Sequence, residues 1–93
     1  MTLEEIYRDI IDICKKYNGT QVILFGSRAK GTGRERRDID IAVRGVSDIL
    51  GLQEEIEDIP TLYKIDLVDL EECKNPLLLE DIEKYGREIY KKV

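Results

Sequence analysis

Histidine is absent from this chain of 93 residues, and cysteine occurs only twice, at Cys14 and Cys73. Zinc sites in proteins are built from closely spaced Cys and His ligands. Two distant thiols without any histidine match no such spacing, and they argue against a zinc site. We expect both thiols to be reduced and the protein to be cytoplasmic.

Long apolar runs are also missing. No segment approaches the ~20 apolar residues that span a bilayer, and no signal-peptide core is present, so we expect a soluble protein without a membrane partner. The formal net charge of −5 argues against general binding to nucleic acid backbones. The length indicates one domain, residues 1–93. Such a small core leaves an open site that a partner or a second copy helps to complete.

Periodicity and capping signals predict an α/β (α+β) domain, in which helices pack on a small mixed β-sheet. The predicted helices run from a Thr2 cap to a left-handed Gly19, over about 48–58 behind a Ser47 cap, and from Pro76, behind an Asn75 cap, to Gly86. The predicted strands cover about 21–25, 38–43 and 63–68, with a short edge strand over 87–91. A short helical turn is expected from Ser27 to about Lys30.

A small-residue turn and two aspartates carry the functional argument. Gly26-Ser27 follows the first strand, and a ten-residue spacer separates it from Asp38-Ile39-Asp40. A turn of small residues after a strand brings backbone N–H groups close to phosphate oxygens. Asp38 and Asp40 share one face of their strand, because side chains alternate with a period of two. This pattern predicts a site for Mg²⁺ and a nucleoside triphosphate.

The spacer between these two motifs is basic. Five of the 15 Lys and Arg residues lie in positions 28–37, against one acid, Glu35; the five are Arg28, Lys30, Arg34, Arg36 and Arg37. A charge run of this kind is often just a solvated loop. Its position between turn and carboxylates favours a second interpretation, in which the cations draw in or neutralise triphosphate oxygens.

Asp66 is the third carboxylate of the predicted site. It lies in the middle of the predicted strand Tyr63–Val68, among Ile65, Leu67 and Val68, although Asp is depleted in strands and costly to bury unpaired. If this strand lies beside that of Asp38 and Asp40, three carboxylates converge, and their repulsion predicts a bound cation. The alternative is an exposed edge residue. Asp69, on the opposite parity, is expected to cap a short turn with Glu72.

These motifs together resemble a known family. Gly26-Ser27, the ten-residue gap, Asp38-x-Asp40 and the later run Ile65–Leu70 are similar to the nucleotidyltransferase superfamily that includes DNA polymerase β. The small size resembles its minimal nucleotidyltransferase (MNT) branch. The resemblance extends from the first strand to the closing segment 86–90.

The resemblance implies a role for each matching residue. Gly26 and Ser27 would contact the triphosphate, with Arg28, Lys30 and Arg37 as further nucleotide-binding candidates. Asp38, Asp40 and Asp66 would hold two Mg²⁺ ions, and Asp66 is also the candidate base for the incoming hydroxyl. Many members carry serine where Arg37 stands, and this departure is expected to change how the triphosphate or partner is held.

The resemblance also implies a biological role. Freestanding MNT proteins are similar to the antitoxin half of toxin–antitoxin pairs, in which AMP from ATP is added to a tyrosine of a HEPN-domain toxin. We expect ATP and such a toxin as partners, and the protein is expected to form either a homodimer or a hetero-oligomer. Two alternatives stay open: a non-catalytic antitoxin that acts by occlusion, and a small-molecule (antibiotic) nucleotidyltransferase. The intact aspartates argue against the first alternative.

Overall fold

A computed structural model of the protein describes residues 2–26 and 38–93. These residues form three helices and four strands. In chain order they are α1 (Leu3–Lys16), β1 (Gln21–Phe25), β2 (Asp38–Arg44), α2 (Ile49–Glu57), β3 (Lys64–Asp69), α3 (Pro76–Tyr85) and β4 (Arg87–Lys91). The described part of the chain is therefore the predicted mixture of helices around one sheet.

The four strands form a mixed sheet in the order β3-β2-β1-β4. β1 pairs antiparallel with both β2 and β4, whereas β2 and β3 run parallel. A parallel pair needs a crossover connection, and α2 supplies it between β2 and β3. The prediction of a small mixed sheet is confirmed, including the edge strand at residues 87–91.

One side of the sheet, called the inner face here, packs against α1 and α2. The inner-face residues of β2 are Ile39, Ile41 and Val43, which are fully buried. They meet the apolar stripes of both helices, because a stripe at helical spacing must be removed from water. The main core consists of Ile6, Ile10, Cys14, Val22, Leu24, Ile39, Ile41, Val43, Leu52, Ile56 and Ile59.

The opposite side, called the outer face, is covered in part by α3. Its apolar cluster comprises Phe25, Ala42, Leu70 and Ile82, with Ile23, Val68, Leu78 and Leu79 packed against it. Because this cluster is small, α3 covers only part of the outer face. The remaining part carries the polar residues of β2 and β3.

Most of the predicted helix ends are confirmed. Thr2 and Glu5 form the expected capping box at the start of α1. Asn75 caps α3, with Pro76 in its first turn, and Gly86 is its C-cap. After β3, Asp69 accepts a hydrogen bond from the backbone N–H of Glu71 (3.0 Å), which confirms its role in a turn.

Two predicted caps are wrong. The left-handed residue after α1 is Asn18, with φ 67°, and Gly19 instead packs closely on the Cys14 carbonyl, where a Cβ would be too near. Asp48, not Ser47, caps α2 by accepting from Gly51 N–H (3.1 Å). The Ser47 hydroxyl donates to the Tyr17 carbonyl oxygen (3.1 Å), and that bond ties the start of α2 to the end of α1. The predicted helical turn from Ser27 to Lys30 lies outside the described residues.

The cysteines are both free thiols. Cys14 is fully buried in the main core, and this burial raises the pKa of its thiol to about 12. A thiol with so high a pKa stays protonated near neutral pH and is a poor nucleophile. In residues 2–26 and 38–93, none of the helices has the length and apolarity needed to cross a bilayer.

Two leucines of α2 provide a matched test of the core. Leu52 is fully buried, whereas Leu50, two residues earlier, is 71% exposed. We expect Leu52→Ala to lower the free energy of unfolding by about 2–5 kcal/mol, because the lost methyl groups leave a cavity. Leu50→Ala should change it by no more than about 0.5 kcal/mol. Urea unfolding of both variants checks this; equal losses would contradict the described packing of α2.

Candidate active site

Asp38 and Asp40 lie on the outer face of β2. Their neighbour between them, Ile39, is fully buried on the inner face, and side chains alternate along a strand. The two carboxylates therefore leave the sheet on the side away from α1 and α2. Their same-face placement, which the Asp-x-Asp spacing predicted, is confirmed by the burial pattern of β2.

Asp66 is the neighbour of Asp40 across the parallel pair. The register places Asp40 opposite Asp66 and Asp38 opposite Lys64. Paired residues of neighbouring strands share a face, and the strands are about 4.8 Å apart. The expected adjacency of these strands is thereby confirmed, and all three predicted aspartates lie on one part of the outer face.

Gly26 follows the end of β1 and lies against Asp40. The last residue of β1, Phe25, pairs with Asp40, and Gly26 has φ +73°. A Cβ added at Gly26 would overlap the Asp40 carboxylate. A side chain is therefore excluded here twice, by the left-handed backbone and by the space that the carboxylate fills.

The three aspartates are suitable ligands for a divalent cation, because they are carboxylates and because the two strands that carry them are adjacent. Carboxylate oxygens are the ligands that Mg²⁺ prefers. Over the described ranges, however, no three acidic or thiol side chains come together closely enough to hold an ion. The expectation of three gathered carboxylates is thus met by the backbone placement of Asp38, Asp40 and Asp66, but not by a formed cluster of side chains.

Lys64 lies on the outer face beside Asp66, and the sequence analysis did not include it among the site residues. Its ammonium lies 3.9 Å from the Asp66 carboxylate, with 75% of the Lys64 side chain and 48% of the Asp66 side chain exposed. An ion pair as open as this contributes little to stability. The period-two parity of β3, which puts Lys64 and Asp66 on one face, was the signal that could have identified it.

Four predicted nucleotide-binding residues, Ser27, Arg28, Lys30 and Arg37, lie outside the described residues, and their roles remain predictions. A cavity of about 620 Å³ in the described part of the chain does not contain the aspartates. It lies between α3 and the sheet, and its lining includes Arg44, Leu79 and Glu88. The site is therefore defined by the carboxylates and the glycine turn rather than by cavity size.

Residues 8–93 match the family described as polymerase beta, nucleotidyltransferase. The chain belongs to this nucleotidyltransferase family. The fold agrees with that membership, since two crystal structures of toxin–antitoxin complexes superpose on it at 26% sequence identity. One, with AMP-PNP, has a TM-score of 0.70 and covers 91% of this chain and 73% of that chain. The other, a tyrosine-to-alanine mutant of MntA–HpeT, has a TM-score of 0.69 and covers 92% and 72%.

A curated relative points to the same chemistry. Protein adenylyltransferase MJ1379 of Methanocaldococcus jannaschii is 37% identical in an alignment of 90 residues, and the match covers 88% of this chain and 89% of that protein. Together with the family match, this relative establishes the protein as a nucleotidyltransferase. The sequence-based prediction of family, fold class and enzyme class is therefore confirmed.

Gly26 and Gly45 provide a matched pair for testing the glycine turn. Both have positive φ, and a Cβ on Gly45 would press on Thr20, away from the aspartates. We expect Gly26→Ala and Gly45→Ala each to destabilise the fold by about 1–3 kcal/mol.

Only Gly26→Ala should also reduce nucleotidyl transfer, by about a hundredfold, because its methyl group displaces the Asp40 carboxylate. Urea unfolding and a transfer assay on folded protein separate the two effects. Equal activity of both alanine variants would rule out the close approach of the turn to Asp40 as a functional feature.

Proposed function

We propose that this nucleotidyltransferase transfers AMP from ATP to a tyrosine hydroxyl of a HEPN-type partner toxin and acts as its antitoxin. The observation that carries the proposal is the pairing of Asp40 with Asp66, beside the glycine turn and on the face that also holds Asp38. We place the protein in the cytoplasm, where its two free thiols stay reduced.

The comparisons support this choice of donor and partner. The curated relative is named a protein adenylyltransferase, which favours a protein as acceptor. The solved relatives are toxin–antitoxin complexes, one of them with the ATP analogue AMP-PNP. In the other, a tyrosine is the mutated residue, which agrees with a tyrosine acceptor.

The proposed reaction is an in-line displacement at the α-phosphorus. The tyrosine oxygen attacks the α-phosphorus of ATP, the bond from that phosphorus to the bridging oxygen of the β-phosphate breaks, and pyrophosphate leaves. A new phosphodiester joins AMP to the acceptor. Asp66 accepts the hydroxyl proton, because it is the site carboxylate on the strand farthest from the glycine turn, where the acceptor can approach.

The remaining residues bind and orient the triphosphate. The backbone N–H groups at Gly26 and Ser27 donate to phosphate oxygens. The cations Arg28, Lys30 and Arg37 offset the negative charge of the triphosphate. Asp38, Asp40 and Asp66 would hold two Mg²⁺ ions. Bound there, the ions would stabilise charge on the attacking and leaving oxygens.

Dependence of ATP binding on Mg²⁺ tests the assignment of the carboxylates. We expect weak Mg²⁺ binding by the protein alone and clear ATP binding with Mg²⁺, because this ion usually takes one or two carboxylates plus substrate phosphates. Titration calorimetry with and without a chelator measures both affinities. ATP affinity that the chelator leaves unchanged would show that Asp38, Asp40 and Asp66 do not hold a metal–nucleotide complex.

The mass of the co-expressed partner separates catalysis from occlusion. With the wild-type protein, we expect a HEPN-type toxin that is heavier by whole AMP units. With the Asp38→Asn/Asp40→Asn double variant, the toxin should be unmodified and remain active, since the carboxylates that hold the metal have lost their charge. Mass spectrometry and a toxicity assay provide the two readouts.

A folding control accompanies that experiment. The double variant should unfold in urea at or slightly above the wild-type midpoint, because repulsion between the carboxylates is relieved. Full neutralisation of an unmodified toxin by both forms would favour occlusion and overturn the proposed transfer.

A further inference from the structure

We infer that the segment of the partner that carries the acceptor tyrosine binds as an added β-strand along the free edge of β3. We also infer that apolar residues precede and follow that tyrosine. The inference rests on the proposed function and specifies its substrate: an extended peptide segment of the partner. It follows from the sheet order, the direction of the β3 backbone amides, the Asp40–Asp66 register and a groove beside β3.

The free edge of β3 is the first requirement. β3 is the terminal strand of the sheet, and in the described part of the chain no strand pairs with its other side. None of its six residues is fully buried. An exposed edge strand presents unpaired backbone N–H and C=O groups, and extended peptides recognise such edges by adding a strand.

The amides of alternate β3 residues point toward that free edge. Leu70 N–H donates to the Val43 carbonyl oxygen (2.9 Å), so the residues of the same parity, including Asp66, direct their backbone groups toward β2. The backbone groups of Ile65 and Leu67 therefore point the other way. These two residues supply donors and acceptors for a new strand on both sides of Asp66.

The sheet register places the acceptor side chain. A residue opposite Asp66 on an added strand projects its side chain from the outer face, because paired residues share a face. Phe25, Asp40 and Asp66 are cross-strand partners and form one row on the outer face. The acceptor residue would be the next member of that row, beside Asp66. Its hydroxyl would lie on the side of Asp66 that faces away from the glycine turn, as the proposed transfer requires.

The groove beside β3 determines which residue types are favoured before and after the acceptor in the added strand. It has a volume of about 400 Å³ and lies between the end of α2 and β3; its apolar lining comprises Ile56, Ile59, Tyr63, Ile65 and Leu67. The residues before and after the acceptor would project toward the inner-face side, where these side chains lie. Apolar flanking residues are therefore favoured, since they are removed from water there.

The charges around the groove disfavour acidic flanking residues. Glu57 and Asp66 also line it, against one cation, Lys64. An acidic residue beside the acceptor would meet two carboxylates, and like charges in proximity repel.

Short synthetic peptides with a single tyrosine test the flanking preference. With Mg²⁺, labelled ATP and wild-type protein, we expect a Val-Tyr-Val peptide to gain AMP about tenfold faster or more than an Asp-Tyr-Asp peptide of the same length. Equal rates would overturn the assignment of the groove.

Backbone methylation of the Val-Tyr-Val peptide tests strand addition directly. In an antiparallel addition opposite Asp66, the flanking valines donate their N–H groups to β3 and the tyrosine does not; in a parallel addition the reverse holds. N-methylation at one of these two parities should abolish transfer, and at the other it should be tolerated. Equal effects of both modifications would exclude a strand added to β3.

Two tryptophan variants of α2 locate the peptide on the protein. Gln53 lines the groove and Glu54 does not, and both are exposed positions of α2. Gln53→Trp should lower transfer to the peptide about tenfold or more while ATP binding is unchanged, because the indole fills the groove. Glu54→Trp should leave both quantities at the wild-type value; equal losses in the two variants would contradict the placement.

The intact HEPN-type partner distinguishes failure of this inference from failure of the proposed function. A partner that gains AMP while no peptide does would overturn recognition of an extended segment. If neither partner nor peptide gains AMP, the proposed function fails and the inference falls with it. A homodimer that Gln53→Trp dissociates, with peptide transfer unchanged, would assign the edge to a second copy instead.

Discussion

Burial of Ile39, Ile41 and Val43 against α1 and α2 is the constraint on which the site depends. These fully buried side chains hold β2 in one orientation, and alternation then directs Asp38 and Asp40 to the outer face. A slip of one residue would bury the aspartates and expose the isoleucines. The apolar core therefore sets the position of the polar site.

The two strands that pair with β2 bring the other site residues to its aspartates. The antiparallel pair with β1 brings the glycine turn against Asp40, and the crossover through α2 brings Asp66 to its other side. Like charges opposite one another in a sheet are unfavourable by roughly 0.2–1 kcal/mol. Natural proteins commonly tolerate a cost of this kind at functional sites, which agrees with the role proposed for the aspartates. Lys64, beside Asp66, is placed to offset part of that repulsion.

Because β3 is the terminal strand of the sheet, the carboxylates can be reached from its free edge. Asp66 belongs both to the site face and to the lining of the groove at the free edge. A hydroxyl carried by another molecule can approach from this side without entering a deep pocket. Such an open approach suits a macromolecular acceptor more than a small metabolite, which an enclosing pocket would hold.

Local patterns in the sequence determined much of the fold. Alternation predicted the faces of β2 and β3, and the capping box at Thr2 and the Asn75-Pro76 pair predicted where α1 and α3 begin. The paired aspartates and the glycine turn identified the family that the comparison then established. Each of these signals depends on a few neighbouring residues, whose backbone preferences act over one turn or one strand.

The tertiary structure decided what depends on partners distant in sequence. Ser47 and Asp48 are both good caps, and Ser47 donates to the Tyr17 carbonyl, a contact that exists only once α1 and the chain before α2 are packed together. Similarly, the pairing of Asp40 with Asp66 and the free edge of β3 follow from strand order. Strand order is a choice among long-range pairings, and period-two alternation within a single strand carries no information about which strand becomes its neighbour.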